Sequence, residues 1–569
     1  MGNQNYLAGF VPYPQEIVDE YTAKGWWGTQ TIGDCFDDVV ARLPDKIAII
    51  DEGKLLTYTQ FKKVIDTFAI ALLGIGIKKH DRVLLQIPNM HEFIIAYVAC
   101  QKIGAIPVLA VASMGKVEIS YIMELTEPSA WIVAEKDGSK EFPHMVQPLV
   151  EAAKKPMKVV YLMESDVPVT DYGSPDDTFS FYSLIEDVDL DSYPADYLQQ
   201  FRPDPNDAAH LLITGGTTGL SKAVPRTHNS YLANVRATNS RFGVDSIFSL
   251  CTPIGHSMAL DGAIGGNIWQ GNTLVITRKY KTVDILTTVS ERKVSVLRVV
   301  PTQFIGMLDF PDLYSYDLSS LKAFMTSGAA LGPEVAEKAY EFCRKIGCTF
   351  YWSGYGSSEG PSTKHNLDEP MEKSLNSVGV SMVPGNRWAV VDEKEKELPS
   401  GATGELVVKG PSVFTGYYKS PNNSEIFTQN GYYKTGDLGK IDEDGYIYIT
   451  GRRKDIIQRG GETLAPQEIE NVLVHHPAIA QIAVIGMPDP YMGERACAYV
   501  IAKPGMSLTF DEMIDYLKSL EVGKLMWPER LEIISEMPLT DIGKMDKKAL
   551  RKDITDKLEK EGLLNAADK

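Results

Sequence analysis

The sequence has few cysteines, six in 569 residues, and they are scattered along the chain. The nearest pair, Cys343 and Cys348, lacks the CxxC spacing of zinc and redox sites. Nine histidines form no HExxH or comparable ligand set, and the adjacent His475 and His476 precede a proline that favours the end of a helix. We therefore expect reduced, mostly buried thiols and no transition metal held by the protein.

The sequence also lacks an excess of basic charge and any long hydrophobic run. It has 57 lysines and arginines and 75 aspartates and glutamates, and the resulting net charge of -18 argues against a nucleic-acid partner. The most apolar stretches, at 68–77 and 103–114, are shorter than the roughly 20 residues that cross a bilayer. The first residues have no basic segment before an apolar core, and Tyr6 breaks the myristoylation pattern. We expect a cytoplasmic protein without membrane insertion.

The hydrophobic content, 44%, is enough for more than one core. Helical patterns alternate with short apolar runs over 60–135 and again after residue 208, which indicates βαβ units around parallel sheets. We predict an α/β fold with a large N-terminal domain of two layered α/β subdomains plus a small β-rich subdomain, followed by a small α+β domain. The expected bounds are 1–453, with subdomains of about 1–190, 191–376 and 377–453, and then 454–569.

The stretch TGGTTGLSKA, residues 214–223, directly follows an apolar run. Glycines and hydroxyl residues after a strand expose several backbone N–H groups, and Lys222 adds a positive charge. These features predict a phosphate-binding loop. The Walker pattern fails because Ser221 precedes Lys222 and Ala223 follows it, which disfavours a P-loop NTPase.

A second stretch, GYGSSEG at 354–360, satisfies the GxSxG pattern of serine hydrolases with Ser358 as the nucleophile. That class needs an acid and then a histidine later in the chain. His365 follows Ser358 by only seven residues, which leaves no room for the usual order, and His475 and His476 are the other candidates. A serine hydrolase is therefore a remote alternative.

Two further stretches place charged residues in expected loops. TGDLG contains Asp437 and GRRKD contains Arg452, whereas PLTDIGKMDKKAL at 538–550 contains Lys544. Taken singly, each residue is more simply a turn residue or a solvated charge.

In this order, the phosphate loop, YGxxE, TGD with GR, and GK resemble the adenylate-forming superfamily of acyl-CoA synthetases, peptide-synthetase adenylation domains and luciferases. The resemblance covers nearly the whole chain and includes GPSVFTGYYKSP at 410–421 and GMPDPYMGERACAYV at 486–500. GGTTGLSKAVPRTHNSY and an early GWW are most similar to free-standing aryl-acid-AMP ligases and to aryl or alicyclic acid–CoA ligases.

The resemblance implies an AMP-forming acid–thiol ligase of the EC 6.2.1 class, acting as a monomer or homodimer. A carboxylic acid and ATP would give acyl-AMP and pyrophosphate, and coenzyme A would then take the acyl group. Such phosphoryl transfer is catalysed by positioning and by cations held against the phosphates. The implied cofactors are ATP/AMP, Mg²⁺ and coenzyme A.

The resemblance also assigns residues to the nucleotide. The phosphate loop would consist of Thr214, Gly215, Gly216, Thr217, Thr218, Gly219 and Lys222, with Thr217 and Glu359 on Mg²⁺. The adenine site would include Tyr355, Gly356, Ser358, Gly328, Ala329 and Ala330. Asp437 would accept hydrogen bonds from the ribose hydroxyls, and Arg452 would contact phosphate or ribose oxygens.

Two further catalytic residues follow from the resemblance, Lys544 and His256. Lys544 would bridge the attacking carboxylate and the α-phosphate, because an ammonium between two anions lowers their repulsion. A rotation of the C-terminal domain about a hinge at Lys454 would then bring Gly460 and Gly461 to a thiol tunnel.

The acid pocket departs from the dihydroxybenzoate-activating branch. There the histidine matching His256 is followed by an asparagine that reads a ring hydroxyl, and a serine lies a few residues on. Here Ser257 and Gly262 occupy these places, beside Met258, Gly328, Gly354 and Gly360. A pocket without those donors should not prefer a hydroxylated ring. We expect an aromatic or alicyclic carboxylate, such as benzoate, or a short-to-medium acyl chain.

The thiol acceptor and the direction of the reaction are open at this stage. Coenzyme A is favoured, because a strongly acidic chain offers no obvious docking patch for an acidic carrier protein. The alternative is a stand-alone aryl-acid adenylating enzyme that loads the phosphopantetheine of a carrier protein. Reversal, with ATP formed from acyl-CoA, AMP and pyrophosphate, is allowed.

Overall fold

The computed structural model describes residues 6–163, 172–173, 176–214, 221–326, 333–366, 369–459, 462–520, 522–540 and 545–564. The helices are α1 (Gln15–Ala23), α2 (Ile32–Arg42), α3 (Tyr58–Gly74), α4 (His91–Ile103), α5 (Lys116–Thr126), α6 (Pro143–Glu151), α7 (Phe181–Glu186), α8 (His228–Asn239), α9 (Thr282–Arg292), α10 (Pro301–Leu308), α11 (Pro333–Ile346), α12 (Met371–Asn376), α13 (Pro466–Leu473), α14 (Phe510–Ser519) and α15 (Lys547–Lys560).

The strands are β1 (Ile47–Asp51), β2 (Lys54–Thr57), β3 (Arg82–Gln86), β4 (Ile106–Leu109), β5 (Ala130–Ala134), β6 (Lys136–Asp137), β7 (Lys140–Glu141), β8 (Lys158–Leu162), β9 (Thr178–Ser180), β10 (Ala208–Thr214), β11 (Lys222–Thr227), β12 (Ile247–Leu250), β13 (Thr273–Ile276), β14 (Val296–Val299), β15 (Ala323–Thr326), β16 (Thr349–Gly356), β17 (Ser362–Lys364), β18 (Val380–Ser381), β19 (Arg387–Val391), β20 (Gly404–Lys409), β21 (Tyr433–Ile441), β22 (Ile447–Arg452), β23 (Ile457–Arg459), β24 (Glu462–Leu464), β25 (Ile479–Asp489), β26 (Gly493–Ala502) and β27 (Arg530–Ile533).

Two large sheets form the main body of the protein. One has the order β18-β17-β16-β15-β14-β12-β13-β1-β2, and the other has the order β11-β10-β4-β3-β5-β8-β9. Neighbours within each sheet pair in parallel, except for the antiparallel edges made by β2, β17 and β18 and by β11. The predicted α/β class with parallel sheets is confirmed.

Helices α2, α3 and α4 pack into a core that joins the two sheets. This core cluster contains Ile49 and Leu274 from the first sheet and Val83 and Leu85 from the second. Every residue of α4 is buried, including Lys102, whose ammonium pairs with aspartates of α2 and α3. An amphipathic surface helix would not bury all its faces, so α4 is a central layer of the domain.

The two sheets exchange strands across the subdomain boundary expected near residue 190. Strands β1 and β2 precede that point yet join the nine-stranded sheet, whereas β10 and β11 follow it and join the seven-stranded one. Alternating patterns along the chain report βαβ units but carry no information on which sheet a strand joins. The two α/β subdomains are therefore interwoven rather than consecutive.

Two smaller sheets complete the protein. Strands β19, β20, β21 and β22 form an antiparallel sheet, and the C-terminal unit has β24-β23-β26-β25 with β27 parallel to β26. Helices α13 and α15 pack on β25. The protein thus has a large N-terminal domain and a small C-terminal domain, and the exact bounds at 453 and 454 stay a prediction. Within the described ranges, no helix has both the length and the apolar character needed to cross a membrane.

Candidate active site

The β10–β11 hairpin carries the predicted phosphate loop at its tip. Thr214 ends β10 and pairs with Lys222 at the start of β11, and the Thr214 Oγ1 accepts a hydrogen bond from the Lys222 N–H at 3.3 Å. The exposed ammonium of Lys222 lies 4.3 Å from the ring centre of Tyr417. A cation at this distance from an aromatic face is attracted to it, which favours this position of the lysine.

Glu359 is buried behind Tyr417. The Tyr417 hydroxyl donates to Glu359 Oε1 at 2.8 Å, and the Phe414 N–H donates to the Glu359 carbonyl at the same distance. Burial, together with the charge of Glu359, raises the pKa of Tyr417, so that its hydroxyl keeps the proton that it donates. Tyr417 therefore lies between the predicted phosphate-binding lysine and the predicted magnesium ligand.

Asp437 is the centre of a second cluster. Its Oδ2 accepts a hydrogen bond from the Tyr355 hydroxyl at 2.7 Å, and its Oδ1 lies 3.0 Å from Arg452 Nε. Asp437 and Arg452 are directly opposite each other in the β21–β22 ladder, which places both side chains at one point. Asp437 is 3% exposed, whereas the Arg452 side chain is half exposed. Burial, with Asp437 next, raises the pKa of Tyr355 well above its usual value.

Arg226 connects three backbone segments around the turn that bears Glu359. This fully buried residue of β11 donates to the carbonyls of Ser230 at 2.9 Å, Ser412 at 3.0 Å and Ser358 at 3.4 Å. It thus connects the hairpin of the phosphate loop to the turn that bears Glu359. Backbone carbonyls satisfy its donors in place of water.

The predicted acid-pocket residues His256, Ser257 and Met258 are half-buried at the start of a helix that continues as π-helical turns over Ala259–Ile264 and Gly266–Gln270. Gly262 lies in the first of these stretches. A Cβ at Gly262 would be 1.7 Å from Nη1 of Arg298, so a side chain at this position would displace that guanidinium. A guanidinium donor therefore lies beside the predicted acid-pocket residue Gly262, and the comparison of positions 257 and 262 did not reveal it.

The glycines of GYGSSEG have different surroundings. A Cβ at Gly354 would lie 2.1 Å from Thr363 Oγ1, and one at Gly360 would lie 1.8 Å from the Ser412 carbonyl oxygen. Gly360 also has a φ of +106°, which disfavours any side chain. Packing alone accounts for these two glycines, and their contact with the acid stays a prediction. Gly356 is exposed, and a Cβ there would make only an ordinary contact, 3.9 Å from the Pro361 carbonyl oxygen.

Ser358 does not lie in the setting of a hydrolase nucleophile. The turn that contains it connects β16 to the antiparallel β17, whereas a nucleophile elbow connects a strand to a helix. The ring Nδ1 of His365 is paired with Glu369 instead of Ser358. This geometry gives the hydrolase alternative no support.

The predicted hinge lies where the chain passes from one sheet to another. Lys454 is in a 3₁₀ turn, Arg453–Asp455, between β22 of the four-stranded sheet and β23 of the C-terminal sheet. Arg453 pairs with Glu405 of the N-terminal domain at 2.7 Å, whereas Asp455 pairs with Arg551 of α15 at 3.1 Å. The charged residues on either side of Lys454 are therefore paired with different domains.

Several predicted site residues lie outside the described residues. They are Gly215, Gly216, Thr217, Thr218, Gly219, Gly328, Ala329, Ala330, Gly460, Gly461 and Lys544. Their roles stay predictions.

Three buried acidic and histidine residues could form a metal cluster elsewhere in the chain. Asp51, His91 and Glu92 bring ligand atoms within 4.8 Å of one another. Arg278, however, donates two hydrogen bonds to Asp51, at 2.8 and 2.9 Å, and already supplies the positive charge that a metal would bring. We interpret this group as a structural ion network.

The composition of the Glu359 site suits Mg²⁺. One carboxylate oxygen is bonded to Tyr417, and no other described side chain has a hydrogen bond to this carboxylate. Mg²⁺ is commonly held by one or two protein carboxylates together with substrate phosphates and water. A lone buried carboxylate near a phosphate loop fits that pattern.

Sequence reasoning missed three residues of this region, Tyr417, Arg226 and Arg298. Tyr417 lies within the GPSVFTGYYKSP stretch, so its motif was recognised without its role. Arg226 and Arg298 are charged residues inside apolar strands, and a charge at a position that reads as core is the signal that marks them.

Comparison with known proteins identifies the family of the chain. Residues 36–418 match the AMP-binding enzyme family, and residues 468–544 match the AMP-binding enzyme C-terminal domain. The 2,3-dihydroxybenzoate-AMP ligase of Bacillus subtilis (strain 168) is 30% identical over 556 residues, which are 97% of this chain and 99% of that protein.

A CoA ligase and a solved structure are similarly related. The 2-hydroxy-7-methoxy-5-methyl-1-naphthoate–CoA ligase of Streptomyces carzinostaticus is 31% identical over 552 residues, 96% of this chain and 97% of that protein. ATP-bound MatB from Rhodopseudomonas palustris matches with a TM-score of 0.80 and 25% identity, over 93% of this chain and 99% of MatB. The chain belongs to the AMP-binding enzyme family, and it is an adenylate-forming acid ligase.

Proposed function

We propose that the protein is an acid–CoA ligase that forms AMP, with an aromatic or alicyclic carboxylate or a short-to-medium acyl chain as its substrate. The observation that carries the proposal is the turn after β16. Tyr355 and Glu359 lie four residues apart there, and they contact Asp437 and Tyr417 respectively. Residues from three distant stretches of sequence thus converge around one turn.

The nucleotide would lie along this turn. The carboxylate of Asp437 would accept hydrogen bonds from two adjacent ribose hydroxyls, and Arg452 beside it would face phosphate or ribose oxygens. Lys222 and the loop before it would bind the β- and γ-phosphates. Because Tyr355 holds Asp437 and Tyr417 holds Glu359, these acids are oriented before ATP arrives.

Glu359 and Thr217 would hold Mg²⁺. The ion would neutralise charge that develops on the phosphates. The chain's own contribution at this point is the orientation of Glu359 by the Tyr417 hydroxyl.

Adenylation would then need the acid and a mobile cation. The acid would enter beside His256 and Gly262, with its carboxylate directed at the α-phosphorus of ATP. Lys544 would lie between the two anions and lower their repulsion. The carboxylate oxygen bonds to the α-phosphorus and pyrophosphate leaves, which gives acyl-AMP.

The second step would follow a rotation about Lys454. The thiolate of coenzyme A attacks the acyl carbon, the mixed anhydride bond breaks, and AMP leaves. The different partners of Arg453 and Asp455 support a hinge here, because each flanking side chain can move with its own body. The reaction is reversible in principle, and we place the enzyme in the cytoplasm.

A carrier protein is the alternative thiol partner. The relative from Bacillus subtilis is named as an AMP ligase and the one from Streptomyces carzinostaticus as a CoA ligase, so similarity alone favours neither acceptor. The net charge of -18 favours coenzyme A over an acidic carrier.

Lys544→Ala tests the assignment of the half-reactions. The variant should lose acid-dependent ATP–pyrophosphate exchange by about 100-fold or more, because the cation at the α-phosphate is gone. It should still transfer the acyl group from a supplied acyl-adenylate. Exchange at the wild-type rate would refute the role of the lysine. A hydrolase would instead be insensitive to this change and lose its activity in Ser358→Ala.

A further inference from the structure

A buried guanidinium lies in the region where the acid is expected to bind. Arg298 is near the carboxyl end of β14, and Met325 is near the carboxyl end of the adjacent parallel strand β15, which leads toward Gly328. Ligands of open α/β sheets bind at the carboxyl ends of the strands. Arg298 is 8% exposed, and its Nη1 fills the space directly beside Gly262.

The described residues leave Arg298 without a carboxylate partner. None of their carboxylate oxygens lies within 4.0 Å of its nitrogens, its Nε has no acceptor, and Nη2 contacts Met325 Sδ at 3.4 Å. Burial, followed by the nearby charge of Arg241, lowers the pKa of Arg298 to about 10. A buried guanidinium is costly unless an anion or several acceptors pair with it.

One buried carboxylate, that of Asp261, influences Arg298 without being paired to it. Asp261 is a buried carboxylate whose charge acts on both Arg298 and Arg226. It is held by Asn234, which donates to its Oδ2 at 2.7 Å and itself accepts from the Ser362 hydroxyl at 2.6 Å. Two buried guanidinium groups, those of Arg298 and Arg226, therefore act on the same aspartate, and neither forms an ion pair with it within the described residues.

We propose that Arg298 binds a second carboxylate of the acid substrate, so that the enzyme adenylates one end of a dicarboxylic acid while this guanidinium holds the other end. The proposal rests on the proposed function and narrows its substrate class. A planar guanidinium matches a carboxylate through two parallel hydrogen bonds, and the anion supplies the missing negative charge. Gly262 is then required because any side chain there would displace the guanidinium.

The test is acid-dependent ATP–pyrophosphate exchange with pairs of acids matched in length. Suitable pairs are pentanoate with glutarate, heptanoate with pimelate, and benzoate with terephthalate. The wild type should prefer the dicarboxylic member of at least one pair by about 30-fold in kcat/KM. In Arg298→Met, kcat/KM for that dicarboxylic acid should fall by about 30-fold. The kcat/KM for its monocarboxylic partner should change little. Arg298→Lys should retain part of the preference, because it keeps the charge without the fork.

Gly262→Ala provides an independent check of the geometry. It should lower exchange with the preferred dicarboxylate, and it should have no further effect once Arg298→Met is present, because both changes remove the same contact. ATP binding measured by calorimetry should be equal in the wild type and in Arg298→Met.

Three results would overturn the proposal. One is a wild type that prefers the monocarboxylic member of every pair. Another is an equal fall in exchange with both members of a pair in Arg298→Met, which would place the guanidinium on the reacting carboxylate. The third is loss of ATP binding in that variant, which would assign Arg298 to the nucleotide or to folding. No exchange with any acid in the wild type would instead refute the proposed function, and this proposal with it.

Discussion

Among single side chains, Tyr417 has the clearest expected effect on activity. Tyr417→Phe keeps the ring beside Lys222 but removes the hydrogen bond to Glu359. A hydrogen bond to a charged group contributes about 2 kcal/mol, so exchange should fall by about 30-fold. The Mg²⁺ concentration needed for half-maximal exchange should rise, which a purely structural role would not cause.

The neighbouring Tyr418→Phe is the matched control for this change. Tyr418 is also buried, but its ring lies beside Lys419 rather than Lys222. It should leave the Mg²⁺ dependence unchanged. Equal effects of the two substitutions would show that Tyr417 does not position Glu359.

Asp261 makes stability depend on pH. Burial raises its pKa from 3.8 to about 6, so the folded protein keeps a proton that the unfolded chain releases. The contribution of Asp261 is therefore full below pH 3.8, and about 3 kcal/mol of it is lost as the pH rises to 6 and above. Asp261→Asn removes this dependence and keeps an oxygen for Asn234.

Urea unfolding of both proteins at pH 4.5 and pH 7.5 measures the effect. The variant should gain stability relative to the wild type at the higher pH. Asp196→Asn, at an exposed position, is the control and should show no such gain. A difference between wild type and Asp261→Asn that is independent of pH would refute the assignment.

At the scale of elements, the sequence predicted the strands and helices well but not their pairing. The apolar runs expected after residue 208 include β10, β12, β13, β14 and β15, because burial on both faces of a parallel sheet leaves continuous hydrophobic stretches. The exchange of β1 and β10 between the sheets was not predicted, since it depends on contacts between residues far apart in sequence.

The site was predicted to a similar extent. Motifs gave Tyr355, Glu359, Asp437 and Arg452, and the structure brings Tyr355, Asp437 and Arg452 into contact. The partners that orient these residues could not be read from the chain. Tyr417 is 58 residues from Glu359, and only the fold places its hydroxyl on that carboxylate.

The connection between β22 and β23 is the element whose movement the account requires. Lys454→Pro fixes the φ angle at the expected hinge. Pyrophosphate exchange should persist, whereas CoA-dependent AMP release should fall about tenfold or more, because rotation is needed only for the second step. Lys454→Ala should support both reactions. Equal loss of both reactions in the proline variant would refute a hinge at this position.

At the scale of the whole molecule, the net charge and the arrangement of domains bear on which thiol accepts the acyl group. The large domain is expected to bind the nucleotide and the acid, and the small domain beyond Arg453 is expected to supply Lys544 and the turn that faces the thiol. The net charge of -18 disfavours an acidic protein partner, and coenzyme A is the acceptor that we propose. The identity of the acceptor is therefore the central claim about the intact enzyme.

AMP release in the presence and absence of coenzyme A is the most direct test. The full-length enzyme, ATP and Mg²⁺ would be combined with ring acids, linear acids and their dicarboxylic counterparts. The account predicts multiple-turnover AMP release that requires coenzyme A. Strong pyrophosphate exchange with an acid, without turnover when coenzyme A is added, would contradict it and indicate a carrier protein as the acceptor.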